Sequence, residues 1–428
     1  MKKLLILVLS LIVVLSISGC QKKYVLPEIK GLSLEEAKEL LGDNVQISIT
    51  NKETIELDPG IVIGYLNNKA NDSVKIGSLI DIEVSKLPED SIIETVDDSI
   101  LYGVHIGKLT GPDSFNEDIL KEAGISGTDL GFQVDLGDEI IFLFGDTFSG
   151  EKQSGMWFSN FIATTKDRYY DDGLTFDSVV SRESGMAIPF AQGAHQTDSV
   201  ENTGSEVTKI PTGAIKIGEY VYIFYMSVRH WGANATWLIN YNQCIKSKDL
   251  VNWENVESLR FEEDEAPNFG QIFPFKDPHS DYIYLYSVPG GRHGKMVLAR
   301  VLQSNFENRD EYEYEVAYNT WVKGDEGLLA LKENPFYIMN SEKGEVTVNY
   351  NEYLGKYMMI YLNGMYLSDT PYGPFDEPIT MFQNVPYYGN LTSNALMKDN
   401  GKTIYMIGSY WGVNASVYNT FLIKIVLK

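Results

Sequence analysis

Gly137-Asp138-Glu139-Ile140-Ile141-Phe142-Leu143-Phe144 reads as a tight turn running straight into a strand: a two-residue hairpin signal, then an apolar run too short for a helix. Working outward, the same unit recurs four times. Tyr220-Val221-Tyr222-Ile223-Phe224-Tyr225 follows Gly218-Glu219, and Tyr282-Ile283-Tyr284-Leu285-Tyr286 follows Asp277-Pro278-His279-Ser280-Asp281. Tyr357-Met358-Met359-Ile360-Tyr361 follows Leu354-Gly355, and Thr403-Ile404-Tyr405-Met406-Ile407 follows Asp399-Asn400-Gly401. Each turn is preceded by a further strand. A repeated β-unit cannot bury its own face and must stack on its neighbours. Residues 100–428 are therefore expected to be mainly β, as a five-bladed β-propeller. A β-sandwich with irregular strands is the competing architecture.

The first unit also yields a register. With Gly137-Asp138 as the turn, Leu136 faces Glu139; counting outward, Leu130 faces Gly145 and Asp129 faces Asp146. Directly opposed residues have Cβ atoms about 5 Å apart. Two carboxylates that close resist double ionisation, so one pKa is expected to rise. A carboxyl pair split in this way suits acid/base cleavage of a glycosidic bond. Asp129 and Asp146 are thus the candidate catalytic pair, against the alternative that each caps a turn or pairs with an arginine.

The open ends of the other units carry Pro211-Thr212-Gly213, Asn268-Phe269-Gly270-Gln271, Gly344-Glu345 and Ser393-Asn394 on the way in. On the way out they carry Ser227-Val228-Arg229-His230-Trp231, Pro289-Gly290-Gly291-Arg292-His293, Asn363-Gly364 and Tyr410-Trp411. In a propeller these loops converge near the axis. The expected rim holds Glu345 as a third acidic candidate. Its substrate-binding candidates are Thr212, Arg229, His230, Trp231, Gln271, Arg292, His293, Asn394 and Trp411. Aromatic faces with hydrogen-bonding neighbours suit a sugar ring; for any one Trp, packing between blades competes with that role.

Ser126-Gly127-Thr128-Asp129-Leu130-Gly131, Leu143-Phe144-Gly145-Asp146-Thr147-Phe148, Trp157-Phe158-Ser159-Asn160, Ile210-Pro211-Thr212-Gly213-Ala214 and Gly344-Glu345-Val346-Thr347-Val348 together resemble a bacterial domain-of-unknown-function family. That family includes the endo-D-arabinanases of glycoside hydrolase family 183. Ser247-Lys248-Asp249-Leu250-Val251-Asn252-Trp253 and Thr370-Pro371-Tyr372-Gly373-Pro374-Phe375 are similar to segments of five-bladed furanosidase propellers. The resemblance implies an endo-acting glycosidase on a furanose-containing, arabinan-like envelope polysaccharide. It implies Asp129 and Asp146 as the catalytic pair and adds Trp157 and Asn160 to the substrate-binding set. A non-catalytic glycan-binding protein is the runner-up, and a scaffold for an envelope complex the third reading.

Residues 24–86 read as a separate α+β unit. Gly31–Leu41 is a helix with Ser33 as N-cap, Glu36 completing a capping box, and Leu34, Ala37, Leu40 and Leu41 on its apolar face. Strands follow at Val45–Thr50, Ile61–Tyr65 and Leu79–Val84. With Leu26-Pro27, Asp58-Pro59-Gly60-Ile61-Val62 and Lys75-Ile76-Gly77-Ser78 the unit resembles a PASTA domain, which implies a spacer or a contact with peptidoglycan. Residues 87–99 read as a polar linker.

Lys2-Lys3, the apolar run Leu4–Ile17 and Ser18-Gly19-Cys20 form a signal peptide over residues 1–19. Leu15-Ser16-Ile17-Ser18-Gly19-Cys20 resembles a lipobox, which implies lipid on Cys20, a lipidated N-terminus over residues 20–23 and an extracytoplasmic, membrane-anchored location. Cys244, the other cysteine, reads as a buried thiol. The net charge of −24 disfavours nucleic acid and anionic polymers. The five histidines show no metal-ligand spacing, so no metal site is expected. No cofactor is expected, with room left for a structural calcium ion.

Overall fold

The computed structural model describes residues 22–412 and 417–428. The stretch read as a signal peptide, and Cys20, lie outside the described residues. The chain divides into two compact units, one ending at Pro88 and one spanning Glu89–Lys428. Among the described residues no helix is long and apolar enough to cross a membrane.

In the smaller unit the helix runs Leu34–Leu41, with Ser33 and Glu36 exchanging both capping-box hydrogen bonds. Its buried side is Ala37 and Leu41. Leu40 is exposed, against expectation, because it lies a turn-third away from that pair and faces water. Strand Ser78–Lys86 pairs in parallel with Val45–Glu53 and antiparallel with Val62–Tyr65. Leu26, Ile29, Val62, Ile80, Ile82 and Val84 complete the core under the helix.

The larger unit is mainly β and contains five antiparallel sheets in chain order. All five expected second strands are present: Ile140–Gly150, Tyr220–Trp231, Tyr282–Val288, Lys356–Tyr361 and Thr403–Trp411. The first sheet pairs Gly127–Asp135 with Ile140–Gly150; the second runs from Thr208–Ile217 to Glu254–Glu262. The third runs from Gln271–Lys276 to Thr320–Lys323, and the fourth from Thr347–Asn351 to Ile379–Thr380. The fifth contains Tyr388–Leu391, Thr403–Trp411 and Tyr418–Leu427, and is completed by Ile100–Lys108 from the start of the unit.

The hydrophobic cores follow the same order. One cluster joins the first and second sheets through Phe132, Leu143, Ile223 and Ile239. Others join the second to the third, the third to the fourth, and the fourth to the fifth. The last joins the fifth back to the first through Phe142, Phe144, Tyr405 and Leu422. Each sheet thus buries both faces against neighbours, which explains why the strands are apolar runs rather than alternating patterns. Cys244 is fully buried in the second cluster, and burial pushes its thiol well up.

The stretch read as linker is corrected in part. Ile92–Ile93 pairs with Val104 and Gly103, Ile93 is buried, and Glu94 accepts a hydrogen bond from Asn384 at 2.5 Å. Residues 89–99 therefore belong to the larger unit; the polar composition concealed one buried isoleucine.

Candidate active site

The first hairpin keeps the expected register from Asp135↔Ile140 to Phe132↔Leu143. It then slips: Leu130 pairs with Phe144 rather than Gly145, and register returns at Thr128↔Thr147. The slip is built by left-handed backbone at Leu130 (φ 64°) and Gly131 (φ 113°). Asp129 is consequently opposed by two residues, Gly145 and Asp146, as in a β-bulge. A Cβ on Gly145 would lie 2.5 Å from Asp129 Oδ1, so only glycine leaves room for that carboxylate. Gly145→Ala should therefore displace the Asp129 carboxylate. Misplacement of about 1 Å costs about 10²-fold in rate, so a turnover assay returning parental activity would show that this carboxylate has no fixed role.

Asp129 and Asp146 line one cleft of about 580 Å³. Asp129 Oδ2 accepts a hydrogen bond from the Tyr388 hydroxyl at 2.9 Å, while its Oδ1 is buried with no partner among the described residues. Burial pushes the Asp129 pKa up to about 6; the Tyr388 and Tyr418 phenols oppose the rise, Glu345 adds to it and Arg292 reduces it. Asp146 Oδ1 accepts from Thr208 Oγ1 at 2.5 Å and from Trp157 Nε1 at 2.8 Å. Its pKa rises to about 7, again chiefly through burial, with the charge of Asp129 a smaller contribution. Both carboxyls are raised where one was expected to be; burial is the chief cause for each, and the charge of Asp129 adds a smaller share at Asp146.

Glu345 lines the same cleft beside Arg292, and the two form a bidentate pair at 2.8 and 2.6 Å. Burial raises the Glu345 carboxyl, but the Arg292 guanidinium outweighs it and holds the group below its ordinary value. Trp231 and Trp411 also line the cleft, 38% and 60% exposed, with rings available to a ligand.

The other candidates do not line the cleft, and each makes a polar contact elsewhere. Asn160 binds the Ala191 and Lys209 carbonyls at 2.6 and 2.9 Å. Thr212, unpaired in a bulge, donates to the Ile272 carbonyl at 3.0 Å and so ties the second sheet to the third. Gln271 donates to the Pro289 and Gly291 carbonyls at 3.0 and 2.6 Å. Asn394 donates to the Tyr350 carbonyl at 3.0 Å. Arg229 is buried and donates to the Ile239 carbonyl. His230 pairs with Asp198, which also accepts from the Trp231 backbone at 2.9 Å. His293 bridges the Asn234 carbonyl (2.7 Å) and Glu342 (3.0 Å), anchoring a loop that lines the cleft. Trp157 is sandwiched between His195 at 4.0 Å and Phe148 at 5.7 Å, so it holds Asp146 rather than offering a face to sugar.

Sequence reading missed Thr208, Tyr388, Tyr418, Trp237 and the 232–235 loop. Tyr388 precedes a bulge at Gly389, and Tyr418 belongs to a third strand, whereas only hairpin ends were read as rim.

The unit is therefore a mainly β protein of five packed sheets whose cleft is floored by two carboxyl groups with raised pKa values, Asp146 buried and Asp129 half-buried. Residues 114–424 match the family described as a domain of unknown function, DUF4185, and the chain belongs to that family. No curated protein sequence matches it. Among solved structures it is similar to a Bacteroides ovatus protein provisionally described as a hydrolase, at 14% identity and TM-score 0.53, over 79% of this chain and 95% of that one. An α-L-arabinofuranosidase from Podospora anserina gives 12% identity and TM-score 0.42 over 75% and 95% of the two chains. An arabinanase from Bacillus subtilis gives 11% and 0.39 over 70% and 96%.

Proposed function

We propose that residues 89–428 form a five-bladed β-propeller glycoside hydrolase that cleaves a polysaccharide with Asp129 and Asp146. The observation that carries this reading is the pair of carboxyls from one hairpin facing one cleft, with pKa values of about 6 and about 7. Near neutrality one group then holds a proton for the leaving oxygen while the other stays ionised to act as base or nucleophile. Asp146, with the higher value, is assigned as the acid. Asp129, which accepts a phenol hydrogen bond at 2.9 Å, is assigned as the base or nucleophile. The bidentate Arg292–Glu345 pair sets the charge beside Asp129, and Trp231 and Trp411 stack on sugar. The chemistry needs no cofactor or metal.

The five sheets are read as blades because their cores succeed one another and the last returns to the first. The substrate assigned is a furanose-containing, arabinan-like envelope polysaccharide cut internally. The smaller unit is assigned as a PASTA-like spacer or peptidoglycan contact, and Cys20 as the lipid anchor that keeps the chain on the outer membrane face. A Cys20→Ser variant is expected to leave the detergent phase on partitioning; retention there after signal cleavage would remove the anchor.

The test is incubation of the purified protein with neutral furanose polysaccharides, arabinan first, followed by product sizing. A ladder of oligosaccharides is expected. The exposed Trp231 and Trp411 faces equally favour a second reading, a non-catalytic glycan-binding protein. Bound but uncut polysaccharide would select that reading.

A further inference from the structure

The larger unit has a second cavity, about 470 Å³, none of whose lining residues belongs to the catalytic cleft. Four segments build it: the hairpin tip at Tyr318, the stretch 336–341, Tyr366 on the strand Gly364–Ser368, and the turn 372–377. That turn overlaps the Thr370–Phe375 motif, which the acid-pair chemistry does not use.

The walls are fixed by bonds that point away from the cavity. Ile338 N donates to the Met296 carbonyl at 3.0 Å and Asp376 N to the Leu367 carbonyl at 2.8 Å. Thr370 Oγ1 closes the turn on the Gly373 carbonyl at 2.5 Å, and the buried Tyr286 hydroxyl binds the Pro371 carbonyl. Tyr372 is braced by Tyr318 at 5.9 Å and by Trp321 at 6.3 Å, both edge-on. The Tyr366 ring is braced from behind by the fully buried Lys343, whose ammonium sits 4.3 Å from its centroid and bonds to Ser341 Oγ at 2.5 Å. The cavity is thus preformed, as ligand sites are.

Its chemistry selects the ligand. Tyrosine rings offer flat apolar faces with hydroxyl edges, and Asp376 and Glu377 add acceptors for hydroxyl groups. Among the described residues its charged lining groups are Asp376 and Glu377, which disfavour anions; Lys343 and Lys295 sit against the rings of Tyr366 and Tyr337, at 4.3 and 5.6 Å, without lining it. An uncharged polyhydroxylated ring satisfies both surfaces; a lipid tail would strand the carboxylates.

We propose that this cavity is a second, non-catalytic carbohydrate-binding site that holds another stretch of the uncharged polysaccharide cut at the acid pair. It rests on the proposed function for the identity of the polymer. Two sites on one chain raise the effective concentration of substrate without new contacts at the cleft.

The experiment uses soluble neutral arabinan as probe, with Tyr372→Ala, Tyr318→Ala and the double variant. Tyr318 is 54% exposed at a hairpin tip, so its loss leaves the core intact. Tyr372→Phe keeps the ring and serves as the conservative control. Retardation in arabinan-containing native gels is expected to weaken about ten- to a hundredfold in the double variant. The polymer KM should rise in step while turnover of a short arabino-oligosaccharide, per folded molecule, stays at the parental value. Retardation that is Tyr372-dependent without any hydrolysis would sink the hydrolase reading and leave the binding site standing. A double variant that binds and cleaves polymer as the parent does would overturn the site and leave the hydrolase reading standing.

Discussion

Asp129→Asn and Asp146→Asn should each lower turnover by about 10²–10⁴-fold, the usual worth of a positioned acid or base, without costing stability. Asparagine keeps an oxygen at the position where Asp146 accepts from Thr208 and Trp157, so the local bonds survive. The pH dependence gives a sharper signature. Both pKa values are raised by folding, from 3.8 to about 6 and about 7. The folded state therefore holds protons that the unfolded chain releases. Stability from these groups is complete below about pH 4 and is lost as pH rises through 6 and 7. The loss is on the order of 3 kcal/mol per group. At pH 8 each Asn variant should melt above the parent, and at pH 4 the difference should vanish. Thermal midpoints and turnover measured on the same samples decide the matter. Variants that melt below the parent at pH 8, with normal turnover per folded molecule, would make the pair structural.

Arg292→Met should produce the largest loss of stability. Glu345 is buried, and Arg292 supplies both of its charged hydrogen bonds at 2.6 and 2.8 Å. Removing the guanidinium strands a carboxylate at a cost of about 3–5 kcal/mol. Methionine keeps an apolar chain of similar length, but the guanidinium contacts with the Trp237 and Tyr388 rings go with the charge, so a second variant separates the two effects. The double variant Arg292→Met, Glu345→Gln should recover most of that loss, because no unpaired charge remains. Denaturant midpoints for the three proteins measure it. A double variant no better than the single one would mean that Arg292 acts through packing. The activity of the single variant should also shift toward higher pH, since Asp129 loses the nearby positive charge that lowers its pKa.

Much of this fold was legible because the decisive signals are local. Turn chemistry at Gly137-Asp138, Gly218-Glu219 and Leu354-Gly355 marked hairpins that the structure contains, with Ile217 facing Tyr220 and Asn351 facing Lys356 across two of them. The acid pair was found by counting from one such turn, and the count survived because the slips on either side of Leu130 cancel by Thr128. What failed was the step from position to orientation. Thr212 and Asn160 occupy rim positions by count, yet their side chains join neighbouring sheets through backbone carbonyls. A polar residue at a strand end looks the same in sequence whether it meets a ligand or an adjacent strand. Tyr388 and Tyr418 were invisible for the converse reason: they reach Asp129 from sheet strands that no turn signal identifies as rim-forming.

Pairing of Ile100–Lys108 with Tyr418–Leu427 makes the unit a clasp whose two halves are made at opposite times during synthesis. Thr110 and Asn419, hydrogen-bonded at 3.1 Å, are 309 residues apart. Bringing such distant segments together costs about 5 kcal/mol of loop entropy, spent before the fifth sheet yields any return. The early strand, paired on one side with Ile92–Ile93, must therefore wait for its other partner until Tyr418–Leu427 has been made. The late strand also carries Tyr418, which touches one of the two acids. A chain cut short before that point loses its clasp and a wall of its cleft in the same event. The fifth sheet and the cleft wall at Tyr418 thus depend on one late strand.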